Sequence, residues 1–439
     1  MQKLIDYTSA TWGALAPLRG REIASKTRTA RAYHRHVALC RARVPKPSPL
    51  LFVLLTVFID LVGGSLLVPV LPYLVERFRS DALTIGLLSS VFSVAQFLAT
   101  PVLGSLSDRF GRRPVLIACV FGTAVSYFLF ALAGNLWLMF VARIIAGATG
   151  GVIATAQAYI ADVTPPEKRT QAFGLIGAAF GLGFILGPAL GGALVTIDLN
   201  APVYCAGCLA LANTVLGYFT LGESLPPERR RAVGWRELNP LGQLARLALD
   251  TKIRALLAGF FIFNAVFAGF TSIFALSIRD RFGWGPELVV WLFAFIGVVA
   301  TVVQGGLIRK LVPRFGEARL AQWGLALVAL AFVLVAVSPS GGWLYLTQAV
   351  LALGVGLATP SLRGLISNSV ADDEQGRVLG GSQSLVSLSQ VLGPLVASVC
   401  YDYLGRLTPF WGGALVMLAA VGFVYANLQQ QQSAPSPFK

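Results

Sequence analysis

Residues 104–114 read GSLSDRFGRRP, and the stretches on either side, about 83–106 and 114–133, are apolar over the length of a membrane-crossing helix. Asp108, Arg109, Arg112 and Arg113, with Gly104 and Gly111 in the same stretch, therefore predict a turn at a membrane face. The rest of the chain agrees. It has 439 residues, 56% hydrophobic and 13% charged, with a mean hydropathy of +0.71, a balance that a soluble core does not accommodate. Transmembrane barrels alternate apolar and polar residues over about ten positions, and this pattern is absent from the sequence.

Apolar runs fall at about 50–75, 83–106, 114–133, 135–160, 172–196 and 201–221, then at about 255–279, 287–308, 319–338, 342–364, 378–401 and 407–427. Breakers separate them, among them Gly134-Asn135, Thr164-Pro165-Pro166 and Thr408-Pro409. The tails and even-numbered connections carry about 29 of the 35 Lys and Arg residues, whereas the odd-numbered ones carry Arg77, Arg79, Arg279, Arg281 and Arg406. Both termini are thus expected in the cytoplasm. The net charge of +15 follows from this topology; it predicts no nucleic-acid partner, and contact with anionic lipid is a secondary consequence.

An internal repeat appears at an offset of about 205 residues. Leu186-Gly187-Pro188 matches Leu392-Gly393-Pro394, Glu76-Arg77-Phe78 resembles Asp280-Arg281-Phe282, and Arg109-Phe110-Gly111 matches Arg314-Phe315-Gly316. The expected organisation is a basic tail (1–48), a first six-helix bundle (49–221), a linker (222–254), a second bundle (255–428) and a short C-terminal tail (429–439). Related bundles of this kind place a site near the bilayer midplane, at their interface. The tail suits a solvated cytoplasmic arm or an Arg-rich, acid-poor transit segment. His34 and His36 are the only histidines, and Cys205 and Cys208 have no further ligands beside them, so no metal site is expected.

An ionisable group inside a membrane is costly unless paired or solvated, and is a functional candidate by default. Asp60 lies near mid-depth in the first span, where burial disfavours the charged form and would let it take up and release a proton; the plainer reading is a static, hydrogen-bonded carboxylate. Arg143 opens Arg143-Ile144-Ile145-Ala146-Gly147 in the fourth span, as an electrostatic partner for that carboxylate or as a structural clamp. Gln96, Gln157, Asn213, Asn264, Gln304 and Gln390 are further polar positions in apolar spans, able to line a cavity or to tie helices together. In the fifth span Gly183, Gly187, Pro188 and Gly191 suit either a pliable gate between the halves or a tight packing seam.

Together these residues resemble the major facilitator superfamily, within it the twelve-span drug/proton antiporters and most nearly the tetracycline-efflux group. GSLSDRFGRRP is similar to the signature after span two, Arg143 with its Ala-Gly to that of span four, and Gly183-Phe184-Ile185-Leu186-Gly187-Pro188 to the antiporter signature of span five. The resemblance implies an all-α membrane fold of two pseudo-symmetric six-helix bundles, expected to act as a monomer. It implies export of a hydrophobic small molecule by alternating access, with a proton gradient as energy source and no cofactor; no GxxxxGK[ST] motif is present. It implies that Asp60 and Arg143 couple protons to substrate. It further implies that Gly104, Asp108, Arg109, Gly111, Arg112 and Arg113 form a conformational latch, Asp108 meeting the start of span eleven near Gly376-Arg377. Where tetracycline exporters carry aspartates in spans three and nine, this chain has Ser126 and about Val328, and Gly283 stands where some carry histidine. The alternatives are a facilitator or metabolite exporter without a drug role, and a membrane receptor built like a transporter that moves nothing. A plasma or inner membrane is expected, or an organellar one if the tail is a targeting segment.

Overall fold

The computed structural model describes residues 49–79, 81–230, 253–369 and 375–433. The expectations for the tail 1–48, for most of the linker (231–252) and for the last residues, 434–439, lie outside these. Among the described residues every regular element is helical. Hydrocarbon leaves the backbone no water to bond with, so apolar runs of this length must satisfy their own amides as helix. Ten helices are long and apolar enough to cross a membrane, and the shorter apolar helices Gly181–Val195 and Pro286–Val302 account for the remaining two expected crossings.

In the first half, span one is Pro49–Leu67, followed by a short helix, Leu71–Glu76. Span two is Ala82–Phe110, span three Arg112–Ala131, span five Pro166–Val195 and span six Ala201–Thr220. Span four comes in two pieces, Leu136–Ala148 and Val152–Val163, interrupted at Thr149-Gly150-Gly151. In the second half, span seven is Arg254–Phe282, span ten Trp343–Asn368, span eleven Gln375–Val399 and span twelve Thr408–Ser433. Two spans begin at a side-chain cap: Asp81 accepts from the Thr84 amide, and Asn135 from that of Leu138.

Two boundaries differ from the sequence reading. GSLSDRFGRRP is not an open loop. Span two runs on through Phe110 and span three starts at Arg112, so Gly111 alone makes the turn, at φ 108° and ψ 156°. Gly104 lies inside the helix, with open space where a side chain would be. Span eight also continues beyond its expected end, through a π-helical turn, Val303–Leu307, into the helix Ile308–Ala336. That helix turns at Gly316, φ 77° and ψ 158°, so 308–315 completes span eight and the remainder is span nine. Gly111 and Gly316 end the two Arg-Phe-Gly triplets of the repeat, and both hold a positive φ that glycine adopts without strain.

Packing repeats too. Span five lies on span one, and its counterpart, span eleven, lies on span seven. A side chain at Gly187 would strike Ser65 and the Val62 carbonyl; one at Gly393 would strike the Ala265 carbonyl and the Gly269 amide. The halves meet along span two with span eleven and span five with span eight. An even number of crossings brings Pro49 and Ser433 to one face, here the terminal face; the opposite one is the far face.

Candidate transport site

Asp60 sits half-buried on span one and makes no hydrogen bond or ion pair among the described residues. Its surroundings are built by glycine. Three residues on, Gly63 admits the Tyr127 ring of span three, whose hydroxyl would lie 3.3 Å from a Cβ there, and Tyr127 is within electrostatic reach of both Asp60 and Arg143. Gly183 admits Leu61, and the Ser65 hydroxyl donates to the Gly183 carbonyl at 2.9 Å. Gly183 and Gly187 thus press span five onto span one, close to the carboxylate. Gly192 faces the other half, where Val290 would be 3.2 Å from a Cβ, and Gly191 lies between Leu66 and Val290. Thr301 of span eight reaches the Gly181 carbonyl at 3.4 Å. The glycines expected to form a gate therefore serve two contacts, one inside the first half and one between halves, with Pro188 between them on the same helix.

The Arg143 guanidinium lies 5.5 Å from the ring centres of Phe92 and of Phe130, a cation–π setting. Its Nε has no hydrogen-bond partner, and no carboxylate lies within ion-pair distance among the described residues. Tyr127, rather than a direct contact, links its surroundings to those of Asp60. Just beyond, the break in span four frees backbone carbonyls, and Gln96 donates to that of Gly150 at 3.0 Å.

The other polar candidates divide. Asn213 pairs with Thr56, donating to its carbonyl and accepting from its hydroxyl at 3.2 Å, so it ties span six to span one. Asn264 donates to Phe260 of its own helix at 2.7 Å, and Gln157 and Gln304 are exposed. Asn264 is related to Asp60 by the offset that relates Glu76 to Asp280, so the second half carries an amide where the first carries an acid. Two residues were missed by the sequence reading. Tyr127 gave no signal beyond its aromatic character. Gln348, fully buried in span ten with both amide atoms unpartnered, was legible as a polar residue in an apolar span.

At the terminal face the GSLSDRFGRRP residues form a cluster within the first half. Arg112 reaches Asp108 at 2.6 Å, the Ser107 hydroxyl at 2.6 Å and Asp162 of span four at 3.1 Å. Glu223, just after span six, accepts from the amides of Arg112 at 2.8 Å and Arg113 at 3.4 Å, placing a carboxylate at the positive start of span three. Arg113 donates to the Tyr218 carbonyl at 2.7 Å. Arg109 lies over the Phe110 ring, 5.1 Å from its centre. The described partner of Asp108 is Arg112; the expected meeting with Gly376-Arg377 involves side chains outside the described set. Arg112→Lys keeps the charge but loses the planar fork that bridges three groups. It is expected to cost about 1–2 kcal/mol, read as a lower unfolding temperature of the purified protein.

A family model described as Major Facilitator Superfamily matches residues 53–315 and 307–438. The chain belongs to the major facilitator superfamily. Among its relatives is the class C tetracycline resistance protein of Escherichia coli, 37% identical over 355 residues, covering 80% of this chain and 89% of the relative. Human major facilitator superfamily domain-containing protein 10 is 30% identical over 363 residues, 78% of this chain and 79% of that protein. The crystal structure of that human protein, an organic anion transporter, matches with a TM-score of 0.67 at 28% identity, covering 87% of this chain and 100% of the other. The chain is accordingly a multi-pass membrane transporter of small molecules, not an enzyme.

Proposed function

We propose that the chain exports a moderately hydrophobic small molecule in exchange for protons. The carrying observation is Asp60, a carboxylate at mid-depth without a partner among the described residues, set where spans one, three and five meet. Such a group can exchange its proton for substrate without first breaking an ion pair. The resistance function named for the class C relative supports export. On this reading the terminal face is cytoplasmic, in a plasma or inner membrane, and the protein works as a monomer without cofactor.

Arg143 favours a second reading of the cargo. A cation flanked by two phenyl rings, with no carboxylate in reach, suits an aromatic organic anion, and organic anions are the cargo class of the human transporter. The test is efflux from proteoliposomes loaded in turn with tetracycline and with a fluorescent aromatic carboxylate. Proton coupling predicts efflux that falls to the passive rate when an ionophore dissipates the pH gradient. Transport indifferent to the ionophore would establish a facilitator instead, and the favoured cargo decides between the two substrate readings.

A further inference from the structure

The two halves treat their Arg-Phe-Gly turns differently. We propose that the turn at Gly316, between spans eight and nine, binds an anionic phospholipid of the terminal-face leaflet. Lys310, Arg314 and Arg319 hold its phosphodiester headgroup, and Trp323 lies against its acyl chain. The site is independent of the cargo and of proton coupling.

The first observation is a set of cations left without acids. In the first half Arg112, just after the Gly111 turn, is engaged by Asp108 and Asp162. At the offset that relates Arg314-Phe315-Gly316 to Arg109-Phe110-Gly111, the second half has Glu317 for Arg112, Lys310 for Ser105, Arg319 for Pro114 and Trp323 for Ala118. Glu317 is committed to span ten: it accepts from the Asn368 amide at 3.0 Å, and a side chain at Gly364 would overlap it. Lys310, Arg314 and Arg319 are exposed, and none forms an ion pair among the described residues.

The second observation is that these cations converge. Lys310 and Arg314 stand one turn apart at the end of span eight, and Arg319 and Trp323 one turn apart at the start of span nine. Phe315 joins the two pairs. The Arg314 guanidinium lies 5.8 Å from its ring centre, and the Trp323 ring lies 5.1 Å from it. A side chain at Gly316 would meet nothing within 4 Å, so the turn itself leaves room for a headgroup.

The third observation says what kind of anion fits. Span nine packs on span ten at Gly324 and on span twelve at Phe332. Elsewhere on its surface Trp323, Leu330 and Val337 are exposed at seven-residue spacing, an apolar stripe that runs toward the far face and meets lipid. Arg319 stands at the foot of this stripe, one turn nearer the terminal face than Trp323. Tryptophan marks the interfacial layer of a bilayer, which puts the cation one turn beyond it at headgroup level. Arginine and lysine donate well to phosphate oxygens, and an acyl chain continues naturally along Trp323 and Leu330. A soluble anion would satisfy the charges and leave the stripe unused. The general pull of a basic face on anionic lipid needs neither the stripe nor the convergence.

Native mass spectrometry of the purified protein, titrated with phosphatidylglycerol and with phosphatidylcholine of the same acyl chains, reads the affinity for each. Phosphatidylglycerol is expected to bind preferentially. Arg319→Gln should weaken that binding about fivefold, and Lys310→Gln, Arg314→Gln and Arg319→Gln together about a hundredfold. Arg254→Gln removes a charge exposed on the same face at the start of span seven, and should leave the affinity unchanged. In nanodiscs, phosphatidylglycerol brominated along its acyl chains should quench an emission component that Trp323→Phe lacks. Equal weakening by Arg254→Gln, or equal affinity for the two lipids, would overturn the site as no more than general attraction. Displacement of the lipid by glycerol 3-phosphate at comparable concentration would overturn it in favour of a soluble anion. If the triple variant does not yield folded protein, Arg319→Gln alone and the quenching carry the reading.

Discussion

Asp60→Asn is expected to abolish gradient-driven export, lowering it by about a hundredfold, the upper range of a coupling free energy between two ligands. The substitution keeps the shape and removes the exchangeable proton, so gradient-independent exchange of substrate across the same vesicles should persist. The fold gives no reserve carboxylate at the equivalent place, because the repeat puts Asn264 there. Tyr127 and the glycine contacts of Gly63 and Gly183 should accept the amide without repacking, which separates this effect from instability. Undiminished gradient-driven efflux in the variant would remove Asp60 from the coupling role.

Gly111→Ala is expected to lower stability by roughly 2–5 kcal/mol, combining backbone strain with lost hydrogen bonds. The backbone there, φ 108°, is open to glycine and not to alanine. A Cβ would also overlap the Glu223 carboxylate, pushing it off the Arg112 and Arg113 amides and uncapping span three. Gly104→Ala, seven residues earlier in the same motif, should be neutral or slightly stabilising, since it lies within a helix with open space around the added Cβ. Thermal unfolding of both variants in detergent checks the contrast. Equal losses would show that the turn geometry is not what the motif's second glycine provides.

The number and spacing of the spans were legible because hydrocarbon imposes a length and a composition on every crossing, and the repeat could be seen because Leu-Gly-Pro and Arg-Phe-Gly recur in register. Asp60 and Arg143 stood out for the same reason, as charges where charge is expensive. What the sequence concealed was partnership. Glu223 reads as an ordinary acid after an apolar run, yet it caps a helix that starts 111 residues earlier in the chain. Asp402 is one acid in a Tyr-Asp-Tyr turn, and the amides that donate to it, those of Ala82 and Leu83, come within reach only once the halves are assembled. Span four gave a continuous apolar run; its break follows from Thr149-Gly150-Gly151, where the glycines cost a helix backbone entropy and Gln96 compensates a freed carbonyl. Polar residues whose partners lie far away in sequence carry no local period, so neither helical spacing nor hydropathy could assign them.

The helices that form the seam between the halves differ in a mechanical respect. All four carry prolines, Pro101 in span two, Pro188 in span five, Pro313 in the last part of span eight and Pro394 in span eleven, which fix bends into the rods. Among the described residues, only the second-half pair adds a π-helical turn to each helix, Val303–Leu307 and Cys400–Leu404, where the helix is wider and its hydrogen-bond ladder is out of step. A π turn can relax to ordinary helix by passing one residue along, which changes the length and twist of the rod without breaking it. The assembly therefore pairs a stiff jaw with a compliant one, and elastic deformation under load should concentrate in the second half, with Asp402 riding on the spring.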